Sequence, residues 1–316
     1  MKKNLIALAV LAASGAAFAQ SSVSVYGIAD IWLGSVNAAG KSTTMMQSGG
    51  VAASRFGFKG TEDLGGGLKA NFLLEQGFNI DTGSATAGQA FSRQSYVGLS
   101  GGFGEVRLGK SWTAYDDISG AANSGFDSAL SPNAGIWVSG GYNANPTNGF
   151  YYATPAMGGL TAAASYSLDE KVAVTGKQTT SFNVVYAGGP LMVGAAYQLD
   201  QTYNTASALD QKFTRLNASY DLGVAKLLGN YGRADLAGNV TNEWQIGANV
   251  PVSKALTLSA GVARSADDFG VKATRTGTSV VAAYSLSKRT TVYGGLRVDS
   301  DAADVKVYAV GVNHSF

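Results

Sequence analysis

Val23-Ser24-Val25-Tyr26-Gly27-Ile28-Ala29-Asp30-Ile31-Trp32-Leu33 reads as two interleaved series. Val23, Val25, Gly27, Ala29, Ile31 and Leu33 form one; Ser24, Tyr26, Ile28, Asp30 and Trp32 form the other. A period of two places the series on opposite faces of a β-strand, so the two faces meet different surroundings. The pattern recurs in Arg55–Thr61, where Phe56 and Phe58 alternate with Arg55, Gly57 and Lys59. It recurs again in Leu68–Gln76, with Leu68, Ala70, Phe72 and Leu74 set against Lys69, Asn71, Leu73 and Glu75. Counting such segments gives roughly sixteen strands, beginning 22–36, 50–62 and 68–79 and ending 304–316. Short turns, as at Asp63–Gly67, Gly101–Phe103 and Leu222–Gly223, alternate with longer loops, as at Asn37–Gly49, Ile80–Ala90, 111–149, Asp235–Thr241 and Ala266–Thr274. This is the layout of an antiparallel up-and-down membrane barrel with both termini on the short-turn side.

The flanks and the composition agree. Lys2 and Lys3, the apolar run Leu5–Ala13 and Ala17-Phe18-Ala19 make a secretory signal peptide, so residues 1–19 are expected to be cleaved and 20–316 to form one barrel domain. Beyond it no apolar run approaches the length of a transmembrane helix. Without Lys2 and Lys3, 21 basic residues stand against 21 acidic ones, which leaves no basic excess for a nucleic-acid partner. The chain has no cysteine, unlike disulfide-stapled secreted domains. Charged residues are only 14% of the chain, with 42 glycines and 15 tyrosines, as suits a closed barrel with an apolar outer wall. Aromatics near strand ends, among them Tyr26, Trp32, Tyr96, Tyr166, Tyr186, Tyr220, Tyr231, Tyr284, Tyr293 and Tyr308, are read as interfacial girdles.

One stretch breaks the alternation. Ser111–Gly149 is rich in Gly, Ala, Ser and Asn, carries Asp116, Asp117 and Asp127, and has no Lys or Arg. A long insertion in a fold of short connections is usually functional or disordered, and a short helix inside it is possible. The strands before it carry Arg55, Lys59, Arg93, Arg107 and Lys110. Arg55 and Lys59 share the polar, lumen-side face; Arg93 shares a face with Ser95 and Val97, which sends Tyr96 outward.

At Ser54-Arg55-Phe56-Gly57-Phe58-Lys59-Gly60-Thr61-Glu62-Asp63-Leu64-Gly65-Gly66-Gly67-Leu68, at Arg93-Gln94-Ser95-Tyr96-Val97-Gly98-Leu99, at Phe103-Gly104-Glu105-Val106-Arg107-Leu108-Gly109 and at the ending Val310-Gly311-Val312-Asn313-His314-Ser315-Phe316, the chain resembles the Gram-negative trimeric porins, especially the beta-proteobacterial branch. The resemblance implies a passive diffusion channel in the outer membrane, a homotrimer among outer-membrane lipids and lipopolysaccharide, and a terminal Phe316 read by the insertion machinery. It implies that Arg55 and Arg93 line a constriction faced by the infolded third loop, here 111–149. Lys59, Arg107, Asp116 and Asp117 complete the expected set. Ions and small hydrophilic solutes would pass, with weak anion preference. Relatives often carry a further arginine just after that loop; Asn145–Pro155 has none.

Other chemistries find little support. Gly98-Leu99-Ser100-Gly101-Gly102 matches G-x-S-x-G, but that motif needs a strand–turn–helix setting and a triad histidine. The single histidine, His314, lies on the outward phase of the last strand. One His and no Cys exclude the usual zinc sets, and no cofactor is expected. Asp267-Asp268 and the acids of Asp299–Asp304 offer oxygens to calcium but match no EF-hand loop, and read as solvated acids. The alternatives carried forward are a substrate-specific barrel binding a sugar, amino acid or organic anion, and a plugged structural or adhesive barrel.

Overall fold

The structure is a computed structural model describing residues 22–85, 90–168, 176–203, 208–270, 272–300 and 304–316. The expected signal peptide and residues 301–303 of the acidic loop lie outside these. In chain order the strands are β1 (Ser22–Ala38), β2 (Lys41–Ser48), β3 (Arg55–Gly65), β4 (Leu68–Asn79), β5 (Ser84–Ala85), β6 (Gln94–Gly101), β7 (Gly104–Lys110), β8 (Gly149–Ala153) and β9 (Leu160–Ser167). They continue as β10 (Gly176–Gly188), β11 (Leu191–Tyr203), β12 (Ala208–Asp221), β13 (Lys226–Leu236), β14 (Asn239–Pro251), β15 (Leu256–Asp267), β16 (Thr274–Ser285), β17 (Thr290–Ser300) and β18 (Val305–Ser315).

Among the described residues all pairings are antiparallel, and all join chain neighbours except β1–β3, β4–β6 and the closing pair β1–β18. β18 returns to β1 in register from Ile28↔Ser315 to Asn37↔Lys306. Gly27 and Phe316 exchange backbone hydrogen bonds of 3.0 Å each, fastening the terminus to the first strand. β2 and β3 lie along one flank of β1, β2 against Ile31–Ala38 and β3 against Ser22–Ile28, so together they fill one strand position. β5 pairs only with the end of β4. The barrel is therefore sixteen-stranded with two extra segments.

Two expectations need correction. Asn37–Gly49 is not an open loop. β1 runs on to Ala38, and β2 pairs back across Ala39 and Gly40, both with positive φ. The strand then breaks at residues 49–54, where Asp30, fully buried, replaces the missing ladder. Its carboxylate accepts from the backbone N–H groups of Gly50 (2.7 Å), Val51 (3.3 Å) and Ala52 (3.1 Å), from Tyr293 Oη (2.7 Å) and from Asn313 Nδ2 (2.7 Å). Likewise Asp235–Thr241 is a tight hairpin turning on Ala237 and Gly238.

The molecule is inverted relative to a soluble protein. Val23 and Val25 are 67% and 64% exposed, and Leu108, Phe182, Val184, Leu216, Ile246, Val280 and Val310 also face outward. Asn183, Gln198, Asn217, Asn230, Gln245 and Ser259 are buried on the inner face. Apart from β2 and β5, which pair on one side, each described strand pairs with neighbours on both sides around the closed sheet, the condition for crossing hydrocarbon. Among the described residues, apolar packing inside gathers where the long loop meets the wall: Tyr115, Ile118, Ala196, Phe213 and Ala234 form one cluster, Trp32, Leu130, Val281, Tyr293, Val307 and Ala309 a second, and Ala114, Tyr151 and Ala163 a third. Trp32 and Tyr293 therefore belong to this inner packing and not to a girdle, whereas Tyr166, Tyr186, Tyr220, Tyr231, Tyr284 and Tyr308 are outward and exposed.

Candidate functional site

The segment between β7 and β8 folds into the barrel and lies along its inner wall. Its outgoing limb meets successive strands in order. Ala114 N–H donates to Ser165 of β9 and Tyr115 N–H to Ser181 of β10. Asn217 of β12 donates to Ile118 O, Asn230 of β13 to Ala122 O, and Gln245 of β14 to Ser124 Oγ. Gly125 N–H reaches Ser259 of β15 (2.7 Å), and Arg297 of β17 reaches Ala129 O. The return limb is fixed by Glu243 of β14, which accepts from Val138 N–H, Ser139 N–H and Ser139 Oγ, and by Asp200 of β11, which accepts from Asn143 N–H (2.7 Å). Asn145 then donates to the carbonyls of Ser92 and Arg93. The alternation of the wall strands explains the docking: they supply polar side chains at inward positions, most of them matched to loop backbone that would otherwise go unsatisfied. The sequence-level possibility of a short helix is met by one turn, Asp116–Ser119.

That turn presents both acids. Tyr142 Oη donates to Asp116 Oδ1 (2.6 Å); Tyr151 Oη (2.8 Å) and Asn183 Nδ2 (3.0 Å) donate to Asp117 Oδ2. Enclosure in the barrel pushes the Asp116 carboxyl up to about 6, against the pull of the Tyr142 hydrogen bond; Asp117 raises it further and Arg93 lowers it. Asp117 is raised in the same sense, first by enclosure, with Tyr151 and Arg107 opposing. Its side chain is open to lumen water, which screens the effect.

The basic residues cluster on the strands that the outgoing limb does not cover. Arg55 and Lys59 project inward from β3, and the Lys59 ammonium sits 4.9 Å from the Tyr26 ring centroid. Arg93, immediately before β6, pairs with Glu75 Oε1 (2.7 Å) and lies 4.9 Å from the Trp112 ring; Arg55 approaches Glu75 Oε2 at 3.5 Å. Arg107 binds Glu105 through Nε (2.9 Å) and Nη2 (2.8 Å), between the rings of Tyr151 (4.5 Å) and Tyr96 (5.2 Å). Among the described residues, no ion pair joins these cations to Asp116 or Asp117. Tyr151 stands between the nearest members of the two sets, its hydroxyl on Asp117 and its ring 4.5 Å from the Arg107 guanidinium carbon.

One phase assignment of the sequence reading fails. Tyr96 points inward, under Arg107, while Val97 and Leu99 face outward. Arg93 reaches the lumen because it precedes the strand, after a bend in which Phe91 has φ 57°, so β6's alternation does not set its direction. Residue reading missed Glu75 and Glu105 as partners of the arginines, and the tyrosines that hold the loop acids. Glu75 stands on the polar series of its strand, but nothing in the pattern says which cations it meets. Asp267 pairs with Arg275 and Asp299 with Arg297, so neither is a free acid; no metal-sized acidic group occurs among the described residues. Gly98–Gly101 end β6 and the chain turns at Gly102 and Phe103 straight into β7, so the stretch is not a nucleophile elbow.

A closed barrel with an apolar exterior, a charged and hydrated interior and a loop folded across it defines a passive channel of the bacterial outer membrane. The chain belongs to the Gram-negative porin family, whose profile matches residues 6–313. It is 38% identical to outer membrane porin protein 32 of Delftia acidovorans, over 99% of this chain and 94% of the relative. It is 34% identical to an outer membrane porin protein of Bordetella pertussis, over 85% of this chain and 76% of the relative. Its fold superposes on the solved anion-selective porin from Comamonas acidovorans with a TM-score of 0.84 at 29% identity, covering 94% of this chain and 100% of that one.

Proposed function

We propose that Arg55, Lys59, Arg93 and Arg107 on one wall, and Asp116 and Asp117 on the infolded loop, form the constriction, and that its field biases diffusion towards anions. The observation that carries this reading is the separation of the two sets. Among the described residues the ion pairs of the three arginines run to Glu75 and Glu105, and the loop acids accept from tyrosine hydroxyls instead of from those cations. Separate charges across a narrow, low-dielectric passage produce a transverse field that orients dipolar solutes and sorts ions. The aromatic rings stacked on Arg93 and Arg107 hold the guanidinium planes in place while leaving them charged. The likeness to an anion-selective porin supports the sign. The missing arginine in Asn145–Pro155 keeps the bias small. Reversal potential in a salt gradient tests it, before and after neutralising Arg55 and Arg93.

The rest follows the family. The protomer assembles as a homotrimer with three separate pores among outer-membrane lipids and lipopolysaccharide. Residues 1–19 are removed on export, and Phe316, half exposed at the periplasmic end of β18, addresses the insertion machinery. No bond is made or broken during passage. Native mass measurement of the detergent-extracted protein reads the trimer and the Gln20 start together.

A further inference from the structure

The two limbs of the infolded loop enclose a cavity of about 200 Å³ on the β12 side of the barrel, away from the basic wall. Its floor is Arg215, only 3% exposed. Nη2 donates to Ser139 Oγ at 3.2 Å, but Nε and Nη1, which carry three of the five guanidinium N–H bonds, meet no acceptor at hydrogen-bond distance, and the hydroxyl of neighbouring Tyr115 is buried unpaired as well. The Trp137 ring, 4.5 Å from the guanidinium carbon, holds the group in place. The neighbouring carboxylate, Glu243, is committed to Val138, Ser139 and Ser265. At the rim, Asp127 is open to the lumen. One oxygen accepts from Asn123 Nδ2 (2.6 Å), and among the described residues the other has no partner. Asn133 Oδ1, also lining the cavity, is buried without a donor.

A buried cation with unfilled donors calls for an anionic acceptor. The rim carboxylate repels a simple anion and attracts a cation. A molecule bearing both charges a few ångströms apart answers both demands. Water's share of liquid volume is about 30 Å³, so the cavity holds a group of several heavy atoms. We propose that this cavity is a subsite for small α-amino-acid zwitterions, with the carboxylate on Arg215, the ammonium on Asp127 and the amino-acid side chain directed into the lumen. The subsite rests on the channel reading and refines it: solutes of this class dwell beside the constriction on their way through.

The test uses single-channel current of the refolded full chain at pH 7 in symmetrical KCl, titrated with L-alanine, N-acetyl-L-alanine, which lacks the ammonium, and L-alaninamide, which lacks the carboxylate. Alanine is expected to reduce the current saturably, and each analogue to act at least tenfold more weakly. Asp127→Asn, at an exposed position that keeps a hydrogen bond to Asn123, should weaken alanine at least tenfold, while N-acetylalanine, no longer repelled by the rim carboxylate, acts at least as strongly as on the native protein. Calorimetric titration of the detergent-held protein with alanine reads the subsite without relying on conductance, so a closed channel and an absent subsite give different results. No saturable alanine effect and no heat of binding overturns the proposal. So does N-acetylalanine acting as strongly as alanine, or alanine affinity unchanged by Asp127→Asn.

Discussion

Glu75 shows how much a single side chain governs here. It is buried and takes hydrogen bonds from Tyr26 (2.8 Å) and Arg93 (2.7 Å), with Arg55 beside it. Glu75→Gln removes the charge that offsets two of the wall cations. The reversal potential should move towards chloride, and thermal unfolding should report a loss of about 1–2 kcal/mol, the scale of a charge-assisted hydrogen bond shared with solvent-reached partners. Asp116 gives the pH dependence. Its folded value near 6 lies above its ordinary value of 3.8, so the docked loop binds the proton more tightly than a free chain does. Its contribution to docking is therefore fully present below about 4 and is lost as pH rises through about 6. Over the same window the loop gains a negative charge, so anion preference should grow as pH falls from 7 to 5, measured as reversal potential. Asp116→Asn should flatten that step. The identity of the charged residues could be read from the chain, but their partners could not. Pairing between Glu75 and Arg93 depends on a bend at Phe91 and on strand register, neither of which a period-two pattern encodes.

At the scale of elements, the infolded loop is held by the wall and the wall is shaped to receive it. A side chain at Gly277 would place its Cβ 1.9 Å from Pro132 O, and one at Gly261 would place it 2.0 Å from Ser124 Oγ. Only glycine lets the loop backbone lie so close. Gly277→Val meets backbone rather than a movable side chain. It should lift the loop tip into the lumen and lower single-channel conductance while the barrel still assembles, as checked by bilayer recording and circular dichroism. Glu243→Gln should have a different signature. It weakens the fixation of Val138 and Ser139, so open-channel current should become noisier without a fixed drop in its mean. The existence of this element could be read from the interruption at Ser111–Gly149, and its infolding from family resemblance. Its course could not, because it is written in scattered Ser, Asn and Gln residues of β9–β15 that look like ordinary lumen positions. The hairpin of β1 and β2 was hidden for a related reason: polar Lys41–Ser48 carries no alternation, and its pairing comes from the neighbouring strand and from Asp30.

At the scale of the whole molecule, closure and inversion do most of the work. The strand count, the polar interior, the apolar exterior and the terminal aromatic were all legible, because a barrel wall repeats one simple rule from Ser22 to Phe316. What repetition cannot state is which charges oppose one another across the lumen, and that opposition is the basis of the selectivity proposed here. The most direct measurement is the reversal potential of single refolded channels under a KCl gradient, for the native protein and for Arg55→Gln/Arg93→Gln. The native channel should give large conductance steps with a potential favouring chloride, and the double variant should fold and conduct with that preference reduced. A native potential favouring potassium, or an unchanged potential in the folded double variant, would contradict the account.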